Sequence, residues 1–373
     1  MAAGLFSAAR RLFKGNQKAD IDSANFKVHF QLTPKLMFGF LLVVILYNLV
    51  DGPIRCEGYS VGFSENTLSD YCWTQNSFTM RVDHRRLESG ASHPGFRSDE
   101  AETVIYHAHS QWIPFVLFLQ GLVFYIPHWL WKRCEGGRLR SLSVGLSAPF
   151  MDKELRLGKI QSLARYLHTS LHQHSTYAVC YFVCETLNLV VCFFNLWFMD
   201  MFLGGAFSTH GLSVMDLIRD TESARQATSM VFPRMAKCLF YKFGSSGVIE
   251  THDLLCVLSH SSMHLKMFAF LWLYFVILSC LGAAMLIWCL LVTFSSSIRS
   301  YLLRKQGNLS IDTDALVTKL GTGDFFLVYL LSKNVEFHAF SILMEELSGR
   351  LTGEKVPRIY PGLDDKDTDI TPV

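Results

Sequence analysis

Four hydrophobic blocks, separated by long polar segments, constrain this chain more than any other feature. Block one, Leu36–Val50, reads LMFGFLLVVILYNLV. As helix it spans about 22 Å, short of a roughly 30 Å hydrocarbon core. It reaches back to Val28 if Lys35 snorkels toward water. Block two is Trp112–Trp131, with Pro114 near its start and Pro127 near its end. Block three is Tyr177–Phe202, and block four is Met267–Phe294, almost free of charge. A soluble domain of this size would show apolar residues at helical or strand period, not in unbroken runs. Trp112, Trp129, Trp131, Trp197 and Trp272 fall near block ends, as interfacial aromatics do. The spacing therefore predicts an all-α membrane protein with four transmembrane helices. A net charge of +2 gives no reason to expect a nucleic-acid partner.

Lysine and arginine set the expected orientation. Segment 1–35 holds six of them and the middle loop 132–176 holds eight, starting at Lys132 and Arg133. The tail adds Arg299, Arg304 and Lys305 soon after block four. Loops 51–110 and 203–266 hold five and six over longer spans, offset by acids. Both termini and the middle loop are expected in the cytoplasm, with the two longer loops outside. The N-terminal residues carry Arg10, Arg11, Lys14 and Lys18 without an apolar core and cleavage site, so block one is expected to act as an uncleaved signal. The resulting order is a cytoplasmic N-terminal helix at 1–27, spans at 28–50, 111–131, 177–202 and 267–294, outer loops at 51–110 and 203–266, a cytoplasmic loop at 132–176 and a cytoplasmic region at 295–373.

Of ten cysteines, Cys180, Cys184, Cys192, Cys280 and Cys289 lie inside blocks three and four and read as small apolar filler. Cys134 falls on the cytoplasmic side, where thiols stay reduced. Cys56 and Cys72 in the first outer loop, with Cys238 and Cys256 in the second, remain for oxidising space. An even count in loops with little core of their own predicts two disulfides, in any of three connectivities. A zinc site is the rival, but CxxC spacing is absent.

Several stretches resemble the innexins, the invertebrate gap-junction proteins. They include Tyr71-Cys72-Trp73, Gln111 to Gln120 (QWIPFVLFLQ), and Phe124 to Lys132 (FYIPHWLWK) followed by Glu135-Gly136-Gly137-Arg138. Phe198 to Gly205 (FMDMFLGG), Phe232 to Cys238 (FPRMAKC), Tyr241–Gly247 and Leu254 to Leu258 (LLCVL) continue the match. Gly323-Asp324-Phe325-Phe326 and Leu331-Ser332-Lys333-Asn334 carry it into the tail, so it covers about 25 to 350. The family's Tyr-Tyr-Gln-Trp-Val hallmark is altered: Gln111 and Trp112 stand, but His109 and Ser110 replace the tyrosines and Ile113 the valine. That departure bears on packing between the first outer loop and block two.

The resemblance implies a subunit of a large-pore oligomeric channel in the plasma membrane at gap junctions. A four-helix protomer is too thin to enclose a wide aqueous path, so such a pore lies on the axis of a ring. The family builds octameric rings, from one or several innexins, that dock end to end between cells and pass ions and small metabolites. It implies bridges Cys56–Cys256 and Cys72–Cys238, against intra-loop pairs as the alternative. It also implies that the N-terminal segment, amphipathic through Leu5, Phe6, Ala9, Leu12 and Phe13, folds into the pore mouth. The alternative is a helix on the anionic inner leaflet. Asp51 and Glu57, just outside block one, read either as pore-lining acids that favour cations, with Arg55 beside them opposing the effect, or as solvated loop charges.

Glu185, Asn188 and Asn195 share a face of block three and read either as water-facing residues or as inter-helix hydrogen-bonding groups. In the middle loop, Lys153–Leu171 reads as a soluble helix with Leu155, Leu163, Leu167 and Leu171 on one stripe. His168, His172 and His174 follow, without a neighbouring carboxylate or thiol to complete a metal set, and can contribute to acid gating. Tail helices are expected at Thr313–Leu320, Asp324–Lys333 and Phe337–Leu351. Thr371-Pro372-Val373 matches a PDZ-type ligand. The outer loops lack glycan acceptors, since Asn66 and Asn76 fall in no N-x-S/T triplet and the one match, Asn308, is in the tail. No catalytic, cofactor or metal constellation appears. The other functions weighed are an undocked hemichannel and a four-pass adhesion or scaffold protein without a pore.

Overall fold

A computed structural model describes residues 20–58, 62–75, 77–80, 104–106, 109–146, 153–209, 211, 232–307 and 312–353. Leu5, Phe6, Asn76, Asn308 and the terminal Thr371-Pro372-Val373 lie outside the described residues.

Among the described residues, four helices are long and apolar enough to cross a membrane. The first, α1, runs Ala24–Val50 and contains a π-helical stretch at Val28–Leu32. There the Val28 carbonyl accepts both the Thr33 amide and the Thr33 hydroxyl, the latter at 3.0 Å, and that hydroxyl lies 2.7 Å from the Tyr274 hydroxyl. The second span is broken in two: α3 covers His109–Val123 and α4 covers Ile126–Glu135. Tyr125 closes α3 with a short bond to Leu122, and Pro127 stands in the first turn of α4, where a missing N–H leaves no bond unmade. The third, α7, is Ser175–Phe202, and the fourth, α8, is Ser261–Phe294. At 34 residues α8 is about 51 Å long, more than a hydrocarbon core requires.

Two compact units divide the chain. One comprises 24–128 and 185–284, the other 1–23, 129–184 and 285–373. The helical part of the first has its core in Met37, Val44, Ile113, Leu117, Phe124, Cys192, Met199, Phe268, Leu271 and Phe275. Large apolar side chains also point outward, among them Leu42 and Leu46 on α1, Phe115 and Leu119 on α3, and Val190 and Phe193 on α7. In water such bands would be a heavy liability; in lipid, or against a neighbouring subunit, they are not.

The first unit also holds a five-stranded antiparallel sheet that the sequence reading, all helical outside its loops, did not anticipate. Its strands are β1 (Arg55–Glu57), β2 (Phe78–Met80), β3 (Val104–Tyr106), β4 (Met235–Phe243) and β5 (Ile249–Val257), in the order β1-β5-β4-β2-β3. A helix, α2 (Glu65–Gln75), completes it. The long β4–β5 hairpin alternates buried and exposed side chains on β4, placing Ala236, Cys238 and Phe240 in the core. Strands β1 and β2 take partners from the distant β5 and β4, so no local pattern announced those two pairings.

The second unit is helical, with α5 (Arg138–Ser143), α6 (Lys153–Thr169), α9 (Ser296–Gly307), α10 (Thr313–Lys319), α11 (Thr322–Ser332) and α12 (Phe337–Thr352). Helix α6 buries Ile160, Leu163, Ala164 and Leu167, an i, i+3, i+4, i+7 stripe. Leu155, expected on that stripe, is exposed; eight residues before Leu163 it lies about 80° around the helix. Arg156 pairs with Glu336 at 2.7 Å, and the Glu336 amide donates to the Leu146 carbonyl.

Candidate functional site

The two ends of the disulfide question meet in the sheet. Cys56 on β1 lies opposite Cys256 on β5, in the same register pair, and the two are bonded. Cys72 on α2 is bonded to Cys238 on β4 across a Cα separation of 5.8 Å. All four are buried, in a core with Ile54, Leu68, Ala236, Phe240, Leu254 and Leu258. One bridge clamps the edge strand and the other clamps α2 onto the hairpin. Cys56, Cys72 and Cys256 come within 4.8 Å of one another, but as bridged sulfurs they offer no thiolate to a metal.

Beyond this core the hairpin extends to a turn at Gly244–Gly247. Phe243, Val248 and Ile249 around that turn are exposed by 78%, 65% and 59%. Exposed apolar clusters of this kind commonly mark interaction surfaces. Asp51 ends α1 and lies 3.5 Å from Arg55 in an exposed ion pair, while Glu57 stands exposed on the edge strand. The Gln111 side-chain amide donates to the carbonyl of Trp73, joining α3 to the end of α2. Trp112 is exposed.

The polar residues of α7 face inward. Glu185, Asn188 and Asn195 are all buried, at 2%, 1% and 1% exposure. Glu185 accepts from the Asn25 and Asn188 amides, and Asn195 donates to the carbonyl of Val191 on its own helix. This geometry belongs to hydrogen bonds within the bundle rather than to a water-facing stripe.

The second unit contains a site the sequence reading missed. Asp324, in the first turn of α11, is buried and accepts from the His172 amide at 2.7 Å and from His174 Nδ1 at 2.8 Å. The histidines thus have a carboxylate partner, 150 residues away in sequence. The Gly323-Asp324 pair in the tail motif was the available signal: a Cβ on Gly323 would lie 2.6 Å from the His174 carbonyl, so only glycine admits this approach. His172 takes a positive φ of 63° to turn its amide toward the acid. His168 is exposed.

A second correction concerns cysteine. Cys134 and Cys180, read from sequence as a reduced thiol and an apolar filler, are bonded to each other. The α4 and α7 helices meet at this point through Trp131, whose ring lies 5.2 Å from that of Tyr177 and 5.1 Å from that of Tyr181.

Comparison with known proteins decides the family. A protein-family model described as Innexin matches residues 22–351. The chain belongs to the innexin family. Innexin inx2 of Schistocerca americana is 34% identical over 353 residues, covering 92% of this chain and 98% of that protein. Innexin inx3 of Drosophila melanogaster is 32% identical over 345 residues, covering 91% and 87%. Innexin shaking-B of Drosophila melanogaster is 33% identical over 349 residues, covering 92% and 93%. This innexin is accordingly a channel protein of the gap-junction family and not an enzyme.

Proposed function

We propose that this innexin forms an octameric ring in the plasma membrane, and that two rings in apposed cells dock through their β4–β5 hairpins to make one intercellular pore. The carrying observation is the clamped hairpin itself. Two bridges hold its base, and its tip presents Phe243, Val248 and Ile249 exposed, with none of the described residues covering them. Rigid, pre-shaped apolar surfaces bind with little ordering cost. The basic segments support a topology with both termini in the cytoplasm and the sheet outside. The outward apolar bands of the four spans face lipid and neighbouring subunits. Asp51 and Glu57 line the outer pore mouth, with Glu57 the stronger contributor because Arg55 already balances Asp51. Leu5 and Phe6 narrow the cytoplasmic mouth, and the terminal Thr371-Pro372-Val373 is offered to a PDZ-type protein.

Dye transfer between paired expressing cells, set against dye uptake by single cells, tests this reading. Transfer in pairs with little uptake in single cells supports docking. Uptake alone marks an undocked hemichannel. The Phe243→Asp variant should reach the surface and lose at least tenfold of junctional conductance, because a charge at the tip would be desolvated on docking.

A further inference from the structure

We infer that the Cys134–Cys180 pair is a reversible redox modification site, closed by a peroxide-class oxidant and reopened by a cellular dithiol or glutathione. The inference rests on the topology proposed above, which puts both residues at the cytoplasmic ends of their spans. A structural disulfide has no stable place in that compartment, where bridges are transient and sensory. Yet the two helices bring these sulfurs together across 46 residues of sequence.

The pairing does not depend on the bond. Trp131, three residues before Cys134, is fully buried against Tyr177 and Tyr181, which flank Cys180. Reduced thiols would therefore stay side by side, at the high effective concentration of an intramolecular reaction. Cys134 is exposed and Cys180 partly so, giving the oxidant access. Cys184, one turn further along α7, is buried and cannot compete. In the first step peroxide oxidises Cys134 to a sulfenic acid, releasing one water. The Cys180 thiol then attacks that sulfur and a second water leaves, so two thiols and one peroxide give one disulfide and two waters. Two equivalents of a thiol reductant return the pair by exchange.

The bond acts on a joint shared with the tail. Phe326 of α11 packs its ring 5.9 Å from Tyr177 and 4.7 Å from Tyr181. Fixing α4 to α7 also closes the loop that carries α5 and α6, so oxidation restricts the middle loop and the α11 contact together.

The test uses full-length protein in intact expressing cells. Thiols are blocked with a permeant maleimide before and after peroxide, and Cys134–Cys180 linked peptides are measured by mass spectrometry. We expect at least a fivefold rise in the linked species after peroxide, reversal by dithiothreitol, and at least a twofold change in junctional conductance. Cys134→Ser and Cys180→Ser should each abolish the conductance response while retaining surface expression and the Cys56–Cys256 and Cys72–Cys238 bridges. Thiols that stay alkylatable after peroxide would overturn the proposal. So would a linked fraction unchanged by oxidant and reductant, or a conductance response that survives in both serine variants. Labelling of Cys134 by an impermeant maleimide on intact cells would instead overturn the topology, which separates that failure from failure of the switch.

Discussion

At the scale of single residues, buried charge is where substitutions should tell most. Asp324 takes two hydrogen bonds while only 3% exposed. Replacing it with Ala strands His174 and the His172 amide, a loss of about 3 kcal/mol or more. Detergent-solubilised Asp324→Ala should therefore show earlier thermal unfolding and faster proteolysis within α6 and α11, whereas His168→Gln should leave both unchanged. Little of this pairing could be read from sequence. The histidines and the Gly-Asp motif were each visible, but their meeting depends on a fold that brings 172–174 to 321–324. Glu185 was ambiguous for a related reason: helical spacing shows which residues share a face, not what that face meets.

At the scale of elements, the Glu135-Gly136-Gly137-Arg138 motif acquires a physical meaning. Gly136 and Gly137 take φ values of 60° and 82°, turning the chain sharply after α4. Glu135 then accepts from the Gly137 and Leu139 amides, both at 2.7 Å, capping the first turn of α5. Gly137→Val should strain this turn by about 1–2 kcal/mol, and Glu135→Ala should leave two inward amides without an acceptor. Both variants should expose the α4–α5 junction to trypsin at Arg138, read by fragment mass. The four long helices were legible because apolar runs of that length have one physical outcome. The break near Pro127 was foreshadowed by the proline, while the π-helical stretch of α1 left no compositional trace. The sheet was illegible because β1, β2 and β3 are three residues each, too short for a period, and β1 and β2 join it through β5 and β4, more than a hundred residues away.

At the scale of the whole molecule, the clamps should separate channel assembly from channel docking. Losing either bridge removes roughly 2–5 kcal/mol from the sheet and its helix α2. Cys72→Ser should thus abolish dye transfer between paired cells, with any residual surface protein behaving as unpaired channels. Charge at the proposed pore mouth acts more gently. Glu57→Gln should lower the cation-to-anion permeability ratio by about twofold at low ionic strength, and by less at physiological salt, where exposed charges are screened beyond about 8 Å. Reversal potentials under salt gradients would read this.

The bridges also set a timetable for synthesis. Cys56 waits for a partner 200 residues downstream, and Cys72 for one 166 residues downstream, with the Cys72 pair nested inside the other. At a translation rate of about 5–20 residues per second, the first cysteine stays unpaired for roughly 10–40 s. Strand β1 likewise has nothing to pair with until β5 emerges. A nascent chain stalled before its third span is complete would hold Cys56 and Cys72 without their partners and an orphan strand, so cells must shelter this polypeptide until its second half arrives.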